Sequence, residues 1–346
     1  MKKLLFVFVL FGFQAIYAQN TYVPDDNFEN YLETHDAYGN AVSIGDANSL
    51  GDGVMNDSVP TAKINGVVFL FVNNMNIADL TGIEDFASLD HLRCDNNSLT
   101  TLDLSNNTAL AQLECYNNQL SVLNISQNTS LTRLACYHNQ LTNLDVSQLT
   151  GLTYLGCSNN QITTLDVSNL TALVRLICYN NQITELDVSN SSNLSVLNAF
   201  NNHLTTVNVR NGNNANISTF YTTNNPDLTC IFVDDTSASY LSSWHVDATS
   251  HFVETQADCN ALATGENPYE QAVKLYPNPA NNELVISKNT GFEITGITIY
   301  NMTGNIVYQT GIISGKINTK HLKNGIYFVQ LQGAGHTVTK KFIVEH

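Results

Sequence analysis

The sequence is poor in charge, and poorest in positive charge. Of 346 residues only 13% are charged, and 14 Lys and Arg stand against 30 Asp and Glu, a formal net charge of −16. A soluble domain ordinarily carries about a quarter charged residues. Scarce, unclustered cations exclude a nucleic-acid-binding protein, which has to neutralise phosphates. After residue 18 no apolar run reaches membrane-spanning length; Gly66 to Val72 is too short. Catalytic signatures are missing as well: there is no H-E-x-x-H, G-x-S-x-G, phosphate loop or dinucleotide fingerprint, and the nine His are scattered. No enzymatic activity, cofactor or metal is therefore expected. With 43% hydrophobic residues the chain is not disordered. What it has in excess is asparagine, 47 in all.

Residues 1–18 read as an export signal. Lys2 and Lys3 precede the apolar run Leu4 to Phe13, and Ala18 offers a small residue for cleavage. No Cys lies near that point, so a lipoprotein anchor is not expected. Export makes the seven cysteines informative. Cys94, Cys115, Cys136, Cys157 and Cys178 follow one another at intervals of 21 residues, whereas Cys230 and Cys259 fall outside the series.

Alignment on that 21-residue period exposes the architecture. Leu92, Leu113, Leu134, Leu155, Leu176 and Leu197 begin successive units. Two residues on stands the Cys column, continued by Ala199. Five residues on stands Asn97, Asn118, Asn139, Asn160, Asn181 and Asn202. Further apolar columns begin at Leu99, Leu102 and Leu104. A degenerate unit precedes the series, with Leu70, Val72, Ile77 and Leu80 in register, and another follows from Phe220 through Asn225.

Over residues 70–229 this pattern, L-x-C-x-x-N-x-L-x-x-L, resembles the leucine-rich repeat family. The resemblance implies a solenoid with a parallel β ladder and a short 3-10 or irregular convex side. The physics agrees. The L-x-C stretch alternates inward and outward and makes one short strand per unit. No unit buries its apolar edge alone, so neighbours stack into one core. The Asn amide, which both donates and accepts, satisfies backbone groups of the turn. The Cys column faces the same interior as the leucines. Its thiols are expected to be reduced and unreactive, since a line of ligands makes no tetrahedral metal site and parallel side chains do not present a disulfide geometry.

The terminal rungs of a solenoid need covers. Residues 19–69 read as the leading cap, with Pro24 and Asp25 opening a helix that carries Phe28, Tyr31 and Leu32 on one face. The stretch Gly45 to Gly53, followed by Asn56 and Asp57, alternates acids and Asn with Gly as a calcium loop does. Its third alternating position is Leu50, however, and no Glu closes it, so it reads as a glycine-rich surface turn. Residues 230–259 read as the trailing cap, around Trp244 and closed by a Cys230–Cys259 disulfide. The oxidising compartment permits that bond, and 28 intervening residues make the loop worth closing.

Residues 260–272 lack the repeat, contain Gly265 and Pro268, and read as a linker. Residues 273–346 carry short β-rich runs at Glu283 to Ser287, Ile294 to Tyr300, Ile306 to Gln309, Gly325 to Gln332 and Val338 to Val344, punctuated as in a small antiparallel β-sandwich. The opening L-Y-P-N-P, the stretches I-T-I-Y-N-M-T-G-N-I-V and L-K-N-G-I-Y-F-V-Q, and the ending K-K-F-I-V resemble the type A sorting domain of the type IX secretion system. That resemblance implies export across the outer membrane of a Gram-negative bacterium, with the secretion machinery and its sortase as partners and a secreted or outer-surface destination.

Candidate contact residues lie outward on the strand ladder. Positions flanking the Leu and Cys columns carry Arg93, Asp95, Glu114, Tyr116, Arg133, Tyr137, Tyr154, Arg175, Tyr179 and Phe200. Exposed tyrosines with Arg compose a contact surface; aromatics also favour strands and ladder along rungs for that reason alone. Stacking of rungs sets Tyr116 beside Tyr137 and Tyr179 beside Phe200. A protein or peptide ligand on the concave face is the first expectation, a glycan on the stacked rings the second, and a purely structural surface protein the third. The recurring Asp145, Asp166 and Asp187 read as turn caps rather than catalytic carboxylates. Residues 19–262 hold 25 acidic and 5 basic side chains, a net −20, so the working portion is more acidic than the whole chain.

Overall fold

Each repeat forms one three-residue strand: His91–Arg93, Gln112–Glu114, Arg133–Ala135, Tyr154–Gly156, Arg175–Ile177 and Val196–Asn198. With Phe69–Phe71 before them and Thr219–Tyr221 after, they build an eight-stranded parallel sheet. The register runs Leu70, Leu92, Leu113, Leu134, Leu155, Leu176, Leu197, Phe220, so that Phe220 continues the leucine column. A computed structural model describes residues 19–264, 273–288, 294–311, 315–333 and 336–346; the expected export signal lies outside them. The chain divides into two compact units, one running to Leu228 and including Ser243–Ser250, the other of Thr229–Ser242 with the chain from His251 onward.

In the first unit, alternation along the short strands sends the Leu and Cys columns into one core. Every member of both is buried, including Cys94, Cys115, Cys136, Cys157 and Cys178, which are free thiols. A second parallel pairing, Leu186 with Val207, follows the Leu102 column. The leading helix Asp26–Thr34 begins where expected. Asp25 Oδ1 accepts from the backbone N–H of Asn27 and Phe28, and Phe28, Tyr31 and Leu32 are buried. Its other oxygen accepts from Ala78 and Asp79, so one carboxylate ties the cap to the first rung. At the far end Trp244 stacks on Phe220 with centroids 4.0 Å apart, and His245 donates to the Phe220 carbonyl. An indole thereby covers the last member of the leucine column.

In the second unit, Cys230 and Cys259 form a disulfide and share a small apolar cluster with Phe232 and Val253. A helix, Gln256–Thr264, occupies the start of the stretch read as a linker, because Thr255 and Asp258 cap its first turn. Beyond it lie two antiparallel sheets. One orders Val273–Tyr276, Glu283–Lys288 and Lys316–Asn318; the other orders Ile306–Thr310, Gly296–Asn301, Gly325–Gly333 and His336–Val344. Their inward residues form one core that includes Leu284, Ile286, Ile299, Val329, Leu331 and Phe342. The strands at Val273–Tyr276 and Lys316–Asn318 were not evident from alternation, both being short. The L-Y-P-N-P opening is bound to the end of the chain. Asn278 accepts from the N–H of Ile343, Ala280 donates to the Ile343 carbonyl, and Glu345 donates to that of Ala280.

Candidate functional site

The outward side of the ladder divides into two parts. In the first half the polar side chains are already engaged with one another. Arg93 Nε lies 3.2 Å from Glu114 Oε2 and 3.4 Å from Asp95 Oδ1, and Arg133 Nε donates to Glu114 Oε1 at 3.1 Å. The Arg133 guanidinium also sits 4.0 Å above the Tyr154 ring centre, and that ring lies across Gly156, where a Cβ would stand 2.9 Å from the Tyr154 hydroxyl. Tyr116 and Tyr137 stack with centroids 4.3 Å apart and planes 10° from parallel. Burial raises both phenols above their ordinary values; a hydrogen bond to Asp95 adds to the effect at Tyr116, and the neighbouring Tyr116 ring adds to it at Tyr137.

Asp95 is a correction. It was grouped with the exposed contact residues, yet it is 0% exposed. Its Oδ2 accepts from Asn96 Nδ2 at 2.7 Å, while Arg93 and Tyr116 close over it. It therefore positions the Arg93–Tyr116 edge and offers no surface of its own. Tyr179 and Phe200 stand on adjacent rungs, with the N–H of Asn180 donating to the Phe200 carbonyl as that of Asn117 does to Tyr137. No ring contact joins the two among the described residues.

The second half carries no acid on its outward positions and is more open. Arg175 is exposed, Tyr179 is half-buried, and Phe200 and Tyr221 are 40% and 36% exposed. Tyr221 lies 4.5 Å from the His245 ring. At the opposite end of the sheet, Phe69 and Phe71 are also exposed, with Phe69 4.9 Å from His91. Sequence reasoning missed Phe69, Phe71, Tyr221 and His245. The signal for the first three was present, since they flank Leu70 and follow Phe220 in the two degenerate units.

Beneath this face runs the Asn column. Asn118 Nδ2 donates to the carbonyls of Cys115 and Cys94, and its Oδ1 accepts from the N–H of Leu99. Asn139, Asn160, Asn181 and Asn202 repeat the pattern one rung at a time; Asn97 serves Val72, Cys94, Met75 and Ile77, and Asn225 adds a further rung. A second, unexpected ladder lies one residue earlier. Asn96, Asn117, His138, Asn159, Asn180, Asn201 and Asn224 all adopt positive φ, between 51° and 61°. Asn tolerates this conformation better than most residues, and the Asn180 side chain, for one, donates to that of Asn159 at 2.7 Å. On the other side of each unit Asp145, Asp166 and Asp187 face the side chain and the N–H of Ser147, Ser168 and Ser189; hydrogen bonds from these two groups hold each carboxylate below its ordinary value, at Asp187 against burial.

The turn spanning Gly45 to Gly53 is organised by carboxylates of the leading helix. Buried Glu33 accepts from the N–H of Asp52 and Gly53, both at 2.7 Å, and Glu29 Oε1 from those of Asn56 and Ser58. Among the described residues, oxygens of Asp26, Glu29 and Asp57 come within 4.8 Å of one another; Glu29 already serves the turn through Oε1. No helix among the described residues is long and apolar enough to cross a membrane.

Residues 274–345 match the secretion system C-terminal sorting domain family, and residues 129–172 and 150–192 match a family of paired leucine-rich repeats. Over 89 residues the chain is 34% identical to Internalin J of Listeria monocytogenes serotype 4b, taking in 26% of this chain. The matched stretch spans 8% of the length of that relative. Similar solved structures include two from Listeria monocytogenes. The functional domain of InlJ from Listeria monocytogenes, described as including a cysteine ladder, is 20% identical with a TM-score of 0.42, covering 95% of this chain and 99% of the other. The internalin InlF of the same species is 20% identical with a TM-score of 0.39, covering 67% and 72%.

Proposed function

From a chain that is a leucine-rich repeat solenoid with a C-terminal sorting domain, we infer a secreted or surface-displayed binding protein that recognises a protein or peptide through its strand ladder. The observation that carries this reading is an outward face rich in aromatic and arginine side chains, the residue types that dominate contact surfaces. Arg93, Glu114, Tyr116, Arg133, Tyr137 and Tyr154 hold one another in place, so little side-chain entropy remains to be lost on binding. Arg175, Tyr179 and Phe200 extend the face. The sorting domain supports passage through the type IX machinery of a Gram-negative bacterium, with the tail removed by its sortase.

Binding of the chain to protein and glycan arrays tests this. Tyr116→Ala with Tyr137→Ala should abolish or weaken the protein signals while circular dichroism stays unchanged. Signals that survive the double substitution place the ligand elsewhere. Retention of glycan spots only, sensitive to the same pair, would favour the reading of the stacked rings as a sugar platform.

A further inference from the structure

Five cations serve the acidic stretch of residues 19–262: Lys63, Arg93, Arg133, Arg175 and Arg210. Four have partners within the fold. Lys63 Nζ donates to the Gly51 carbonyl, Arg210 Nε to Asn208, and Arg93 and Arg133 converge on Glu114. The Arg175 guanidinium alone has no hydrogen bond or ion pair among the described residues, although 25 carboxylates are available in the same stretch. It is also exposed.

Its outward neighbours carry no charge. In the sheet it stands between Tyr154 and Val196, with Ile177 and Tyr179 on its own rung. Beyond them lie the exposed rings of Phe200 and Tyr221. We propose that this end of the ladder seats an acidic peptide segment, with its carboxylate on Arg175 and an apolar side chain against Phe200 and Tyr221. This rests on the reading of the ladder as a peptide-binding face and names the chemistry of the peptide.

A guanidinium binds a carboxylate in bidentate fashion, and partial desolvation by neighbouring rings strengthens the pair. The net −20 of the region opposes an acidic ligand only weakly, because charges more than about 8 Å away are largely screened at physiological salt. Two rungs separate Arg175 from Tyr221, roughly 10 Å, which an extended peptide covers in about three residues. The segment is therefore an Asp or Glu followed or preceded, two to three residues away, by an aromatic or large aliphatic residue.

Panning a random-peptide phage library on the full chain, then measuring selected synthetic peptides by fluorescence anisotropy, tests the assignment. Enriched peptides should carry that spacing, bind more weakly as salt rises, and lose about tenfold or more in affinity with Arg175→Ala. Arg175→Lys should recover part of the loss. Because Arg175 is exposed, both variants should fold, as circular dichroism will verify. Peptides that lack acidic residues, or keep their affinity in Arg175→Ala yet lose it in Tyr116→Ala with Tyr137→Ala, overturn this inference and leave the peptide-binding face standing. Peptides indifferent to every one of these substitutions, or no enrichment at all, overturn both.

Discussion

The side-chain amide of Asn118 reaches 24 residues back along the chain and donates to the carbonyl of Cys94 at 3.0 Å. The same nitrogen donates to Cys115 in its own rung, and its oxygen accepts from Leu99. Each Asn thus fastens one turn to the turn before it. The repeat stacks because apolar columns need cover, and this amide adds to the backbone ladder that joins each rung to the next.

Asn139→Ala should therefore be severe. It leaves the N–H of Leu120 without its partner and takes one of two amide donors from each of the Cys115 and Cys136 carbonyls, which keep Asn118 and Asn160. A loss of about 2 kcal/mol in urea unfolding is expected, since a buried group left unpaired costs about 1–3 kcal/mol. Asn139→Asp keeps the acceptor and loses the donors, and should not rescue. Asn117→Ala, on the exposed positive-φ ladder, should cost only about 1 kcal/mol of backbone strain. Equal losses at the two positions would contradict the assignment.

The thiol column sets a pH dependence. Burial pushes Cys157 up from 9.0 to about 12 and raises Cys94, Cys115, Cys136 and Cys178 as well. In the unfolded chain each returns to about 8.5. Above that pH the unfolded state binds fewer protons than the folded one, so stability falls as pH rises towards the folded-state values. Each thiol contributes up to about 1.4 kcal/mol per pH unit in that window. Urea midpoints between about pH 8.5 and 10.5 should fall more steeply for the wild type than for Cys94→Ala with Cys115→Ala. Parallel slopes would remove the thiols as the cause.

Gly51 sits where a Cβ would stand 1.9 Å from Glu33 Oε1. Gly51→Ala must displace the carboxylate that holds the N–H groups of Asp52 and Gly53. Limited proteolysis should then cut within residues 45–57 much faster than in the wild type, with a stability loss of about 2 kcal/mol. Glu33→Ala should give the same cleavage pattern. Resistance of both variants would show that the turn holds itself.

Mass spectrometry of the unreduced chain should find Cys230 and Cys259 linked and the other five cysteines alkylated only after unfolding. Cys230→Ser with Cys259→Ser should destabilise the second unit by about 2–4 kcal/mol, as expected for a closed loop of this length. Free thiols at both positions in the oxidised protein would refute the bond.

Period and alternation made most of the first unit readable from sequence. Leu92 and Cys94 point inward because strand side chains alternate, and a 21-residue spacing repeats that placement on every rung. Asn97 and its successors follow because an amide can serve both signs of backbone group. Asp25 before Phe28 announced the helix, and two cysteines outside the period announced the disulfide. All of these depend on residues close in sequence or on strict repetition.

Where a side chain's state depends on what its neighbours do, only the tertiary structure decided it. Asp95 and Tyr116 occupy the same position of the repeat, yet Asp95 is enclosed by Arg93, Asn96 and the Tyr116 phenol. Glu114 draws two arginines and leaves Arg175 out, which no column reveals. Glu29 and Glu33 have the composition of a solvent-facing helix side, but the turn residues that bind them lie 19 to 29 positions later. The L-Y-P-N-P opening meets the last strand 65 residues away. Repetition specifies which side of the chain faces inward; the pairing of individual charges and rings across rungs depends on distances that exist only once the rungs are stacked.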